Sequence, residues 1–96
     1  MKKPFTIITD NHDQCFICGS YRWIEWHHIY PAANRKKSTQ YGCVVPLCRY
    51  CHNEPPNGVH FNKKRMDWLR AIGQRRFNEV YPELDFKKIF GRNYLQ

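Results

Sequence analysis

Acidic residues are scarce in this chain of 96 residues: eight Asp and Glu face sixteen Lys and Arg, leaving a formal charge of +8 and a pI near 9.5. Such an imbalance disfavours cationic ligands and points to a polyanionic partner, most directly nucleic acid. Long apolar runs are also missing, and no stretch approaches a membrane span, so no membrane partner is expected. The start, Met1 to Thr9, is basic but holds only a fragment of an apolar segment and no small-residue cleavage site, which speaks against a secretory signal and for a cytoplasmic location. Internal repeats and low-complexity linkers are absent, which excludes a solenoid and leaves a single domain over residues 1–96. The chain is nevertheless no disordered tail, since 42% of it is hydrophobic and 16% aromatic.

Against this sparse background stand five cysteines and five histidines. Cys15 and Cys18 form one Cys-x-x-Cys pair and Cys48 and Cys51 another, the second running directly into His52. Four thiolates at that spacing close a tetrahedral zinc site, and without a secretory signal zinc fits better than a disulfide framework. A chain this short buries a modest core, so a structural Zn2+ supplies stability that packing alone does not. Cys43 is left over and reads as a small buried hydrophobe. His27, His28, His52 and His60 remain for a second, chemically active site, whereas His12, in a polar turn, reads as a surface residue.

The order of elements follows from local signals. Cys15 to Gly19 reads as a tight zinc-knuckle turn with Gly19 in a left-handed conformation. Residues 21–30, rich in Tyr, Trp and Ile, predict a strand that ends at Pro31 and sends His27 and His28 to opposite faces. A polar, basic loop over residues 32–40 follows, and a return strand around Val44 and Val45 completes an antiparallel hairpin. Pro55, Pro56, Asn57 and Gly58 interrupt the chain before His60. Asn62 is the expected cap of a helix from Lys63 to Val80 that Gly73 bends and Pro82 stops, and Asp85 and Gly91 bracket a last short helix. Trp23, Trp26 and Trp68 are expected to cover the core or the hairpin.

The two Cys-x-x-Cys pairs, the run Trp26-His27-His28-Ile29 between them and the segment Val45 to His52 together resemble the HNH nuclease family in its zinc-bound ββα-metal form, over about residues 15–60. The resemblance implies an α+β fold, a small zinc-stabilised ββα-metal domain over about residues 10–62, to which the helices read from local signals over residues 63–96 add a basic helical extension that contributes nothing to the resemblance. It implies a phage or bacterial DNA endonuclease that hydrolyses phosphodiester bonds with one catalytic divalent metal, Mg2+ or another, to leave a 3′-hydroxyl and a 5′-phosphate. By position, His28 resembles the general base and His27 a metal ligand, with His52 and His60 as the further ligands. The family's middle asparagine is replaced by Cys43, and Asn34, Asn53 and Asn57 are the candidates for its structural role. Phosphodiester hydrolysis needs a base near neutrality and a cation at the phosphate, which histidines beside a metal supply.

Arg35, Lys36 and Lys37 near the histidines, and Lys63, Lys64 and Arg70 on the long helix, are the expected phosphate contacts. No groove-reading helix is discernible, so weak sequence preference and steep salt dependence are expected. The competing function is a non-catalytic zinc-ribbon-like nucleic-acid adaptor; a protein-binding zinc module fits the charge less well.

Overall fold

The alternation of aromatic and β-branched residues produces a strand, β1 (Ile24–His28), paired antiparallel with β2 (Val44–Cys48). In the computed structural model, which describes residues 4–95, Ile24 lies opposite Cys48 and His28 opposite Val44. β1 is shorter than residues 21–30 because Trp23 turns to a positive φ of 52° just before it, its carbonyl accepting from the amide of Arg49 at 2.9 Å.

The hairpin connection is not the expected loop. A 3-10 turn at Ala32–Asn34 leads into a helix, α1 (Arg35–Tyr41), closed by Gly42 at φ 78°. Polarity argued for a loop, but Arg35, Lys36, Lys37 and Gln40 are good helix formers and no Pro or Gly interrupts residues 35–41. Ser38 then pins the helix to the end of β1: its fully buried hydroxyl accepts from the Tyr30 amide at 3.2 Å and donates to the Tyr30 carbonyl at 2.8 Å.

After β2, Cys48 is both the last strand residue and the N-cap of α2 (Arg49–Asn53), so the second cysteine pair sits on a helical turn. A second 3-10 turn, Val59–Phe61, precedes α3 (Lys63–Val80). The Asn62 side chain accepts from the Arg65 amide at 3.1 Å, which is the expected cap. Asp85 likewise caps α4 (Phe86–Phe90), and Gly91 ends it at φ 83°.

α3 and α4 do more than extend the hairpin. Leu69 and Phe77 of α3 and Phe86 and Phe90 of α4 share one core with Ile29, Cys43, Val45 and Leu47 of the hairpin. Tyr30 is the joint between the layers. Its ring contacts Phe86 and Phe90 at centroid distances of 5.2 and 4.7 Å, and its hydroxyl donates to the Arg70 carbonyl at 2.6 Å. Gly73 accordingly serves close approach rather than bending: a Cβ there would lie 2.6 Å from the Tyr30 hydroxyl, and α3 runs unbroken through it. Cys43 is fully buried, and burial pushes its thiol up to about 12, as befits a small core residue. Trp23 and Trp68 are about half exposed and cover little of the core. Among the described residues, no helix is long and apolar enough to cross a membrane.

Candidate functional site

The two cysteine pairs converge. Cys15, Cys18, Cys48 and Cys51 present their sulfurs within 4.8 Å of one another, a set positioned to hold a metal ion such as zinc. The first pair is shaped by its turn: the Gly19 amide donates to the Cys15 carbonyl at 3.0 Å, and Gly19 itself adopts φ 83°. Burial pushes the Cys15 thiol up, but backbone amides of Cys18, Cys48 and Ile17 outweigh it and bring the group down to about 7. A thiol so stabilised as thiolate is prepared to bind a cation. Burial raises the Cys51 thiol, as does the neighbouring Cys15 charge, and a cation would relieve that crowding of like charges.

A second group forms on one face of the hairpin. His27 leaves β1, His52 leaves α2 and His60 leaves the 3-10 turn, and their ring nitrogens also lie within 4.8 Å of one another. Chain separation is overcome by the turn after α2, where the Gly58 amide donates to the Glu54 carbonyl at 2.7 Å. A Cβ on Gly58 would stand 2.7 Å from the Glu54 backbone, so only glycine closes the turn this tightly. His52 and His60 then bring their Nε2 atoms to 3.1 Å.

Glu25 sets the orientation of His52. Its Oε1 lies 2.7 Å from His52 Nδ1 and accepts from Asn53 Nδ2 at 3.0 Å. The carboxylate places the ring proton on Nδ1, which leaves the Nε2 lone pair facing His60. Sequence reasoning passed over Glu25, although its position two residues before His27 puts both on one face of a strand. Asn53 joins the site through the same carboxylate, whereas Asn34 ties the start of α1 to the Phe90 carbonyl at 2.9 Å.

His27 is the deepest member, only 2% exposed, and its Nε2 is buried without a hydrogen-bond partner. Burial lowers it to about 3, with the neighbouring His52, His60 and His28 rings adding to the effect, so the ring is neutral at ordinary pH. A buried, neutral, unpartnered imidazole nitrogen beside two others fits a metal ligand, because the alternative is a desolvated acceptor with nothing to accept. His60 is lowered by burial and by the His52 and Arg70 charges.

His28 stands apart from this trio. The strand pairing holds through His28 and continues in the Ile29 amide bond to the Cys43 carbonyl at 3.0 Å, so the two adjacent imidazoles keep to opposite faces. His28 Nε2 lies 3.0 Å from the Thr39 hydroxyl of α1, which in turn donates to the Arg35 carbonyl at 3.3 Å. The direction of the bond between the ring and the Thr39 hydroxyl follows the tautomer of His28. Burial and the Arg35 charge hold the His28 pKa below its ordinary value.

The expected phosphate contacts fall in two places. Arg35, Lys36 and Lys37 are exposed on α1, with Lys37 Nζ donating to the Ile89 carbonyl at 2.7 Å. Lys63 and Lys64 are exposed at the start of α3, Lys63 paired with Asp67 at 2.6 Å, and Arg70 is half-buried to one side of the imidazoles. His12 makes an edge contact with Trp26 at 6.0 Å and joins neither group. Comparison with known protein families, with curated proteins and with solved structures finds no match to this chain.

Proposed function

We propose that the protein is a metal-dependent DNA endonuclease of the HNH type, stabilised by zinc at its four cysteines. The observation that carries the reading is the buried, unpartnered Nε2 of His27 set against His52 and His60, with Glu25 fixing the middle ring. Three histidine ligands, with no fourth protein ligand grouped with them among the described residues, is the pattern of a catalytic rather than a structural metal site. Imidazole donors suit a transition metal such as zinc better than Mg2+, which prefers oxygen ligands.

His27, His52 and His60 would hold the divalent metal, which supplies positive charge to the phosphate and the departing oxygen. His28 is the base this reading assigns, by its resemblance to the family's second histidine, although strand pairing holds it on the face away from the trio and its Nε2 lies against Thr39. Its lowered pKa keeps it unprotonated near neutrality, as a base must be. Arg35 beside His28 and Arg70 beside His27 and His60 supply cations for the strand on either side.

A second reading draws on the separation of His28 from the trio. If His28 only ties β1 to α1 through Thr39, both metal groups are structural and the protein is a nucleic-acid adaptor. Supercoiled plasmid incubated with the zinc-loaded protein and Mn2+, Mg2+, Zn2+ or a chelator distinguishes the two. The nuclease reading expects metal-dependent nicking that His28→Ala abolishes while DNA binding persists. Salt-sensitive binding by both proteins without cleavage under any metal overturns it in favour of the adaptor.

A further inference from the structure

The geometry points to a phosphate subsite for a DNA strand in the groove between the second 3-10 turn, α3 and the C-terminal segment, with Arg70 and Arg92 as its ligands. It rests on the nuclease reading only in having the neighbouring phosphodiester at the imidazoles. The groove has a volume of about 440 Å³, and its wall includes His60, Lys63, Asp67, Arg70, Arg92 and Tyr94. A space of that size admits a sugar-phosphate unit.

The segment that carries Arg92 is held in place. Gln74 of α3, only 6% exposed, donates to Asn93 Oδ1 at 2.8 Å and accepts from the Tyr94 amide at 2.6 Å. Tyr94 then stacks on the buried Tyr30 at a centroid distance of 5.3 Å. The guanidinium carbons of Arg70 and Arg92 lie 5.8 and 5.4 Å from the centre of that Tyr94 ring. Two like charges are thus fixed beside one aromatic ring.

The Asp67 carboxylate on the same wall feels the charges of Arg70 and Arg92 but hydrogen-bonds neither of them. Asp67 is engaged by Lys63 at 2.6 Å, and neither Arg70 nor Arg92 has an ion pair among the described residues. Arg70 Nε is in addition buried with no hydrogen-bond partner. Guanidinium groups offer several donors in a planar fork, the geometry that phosphate oxygens accept. The two non-bridging oxygens of a phosphodiester can accept from both guanidinium groups, and His60 on the same wall connects the groove directly to the imidazole trio. Arg92 and Tyr94 lie in the segment after the last helix, beyond any part of the chain that resembles a nuclease.

The test is DNA binding by zinc-loaded protein without a second metal, using a short fluorescein-labelled duplex and anisotropy at several salt concentrations. The double variant Arg70→Gln/Arg92→Gln is expected to bind about tenfold more weakly, with the log–log salt slope reduced by about 0.9, for the one phosphate charge no longer neutralised. Lys87→Gln/Lys88→Gln, which removes two exposed charges on α4, is the control and should change both far less. In the wild type, titration with the dinucleotide pdTpdT should move the Arg70 Nε–H resonance, a readout that needs no variant to fold. Unchanged affinity and slope, an equal loss in the control, or a stationary Arg70 resonance at saturation would each overturn the subsite. If the double variant loses DNA but the wild type never cleaves, the groove stands and the nuclease reading falls; cleavage with undiminished DNA affinity in the double variant has the reverse meaning.

Discussion

Replacing Glu25 with alanine removes a residue that no metal would touch, yet it should weaken metal binding at the histidines. In the folded protein its Oε1 holds His52 Nδ1 at 2.7 Å, and without it the ring is free to rotate or to shift its proton to Nε2. Loss of such an outer partner costs about 10- to 100-fold in metal affinity. Here the Glu25 side chain is 39% exposed and His52 14%, so solvent screens the pair and the lower end applies: about tenfold, or roughly 1.4 kcal/mol. Glu25→Gln keeps an acceptor oxygen and loses only the charge, so its loss should be about half as large in free energy, since charge-assisted bonds are roughly twice as strong as neutral ones. The assay is competition for Zn2+ or Co2+ against a chromophoric chelator, with the thiolate site already filled by one zinc. Affinity in Glu25→Ala indistinguishable from wild type would show that Glu25 does not orient a metal ligand, and would remove the main support for His52 in that role.

Three further outcomes are expected. Gly58→Ala forces a Cβ to within 2.7 Å of the Glu54 backbone, displacing the turn that carries His60; second-site metal affinity should fall about tenfold while the thiolate site keeps its zinc, which the same competition assay reads. Gly73→Ala should destabilise the fold by about 1 kcal/mol in urea unfolding, because overpacking against Tyr30 costs roughly 1–3 kcal/mol and helix propensity returns about 1. Tyr30→Phe in the same background should recover part of that loss, a coupling that separate single variants would not show. His27 is lowered from 6.5 to about 3 on folding, so the unfolded chain binds the extra proton and stability falls as pH drops below about 6.5. With the histidine site metal-free, about 1 kcal/mol should be lost between pH 6.5 and 5.5, and NMR should find the His27 ring still neutral at pH 5.

Much of the framework was legible in residue order because it depends on near neighbours. Asn62, Asp85 and Gly91 mark helix ends through bonds that span three or four residues, and Gly19 closes its turn through its own backbone freedom. The cysteine spacing likewise carried the four-thiolate group, since each pair is local and only one closure unites them. α1 was misread because polarity spoke for a loop while propensity and the distant partner Tyr30, held by Ser38, favoured a helix.

What order alone determined, then, was the inventory: two cysteine pairs, a histidine set, a hairpin and two capped helices. Which histidines meet was decided by tertiary structure, because strand pairing past His28 keeps it from His27 while the Gly58 turn carries His60 across to His52. The same is true of Glu25 behind His52 and of Arg92 beside Arg70, pairings that join residues from separate elements or distant in the chain. They follow from how the hairpin, α2, α3 and the C-terminal segment share one core around Tyr30, and a pattern of neighbours carries no information about a packing that only the whole chain produces.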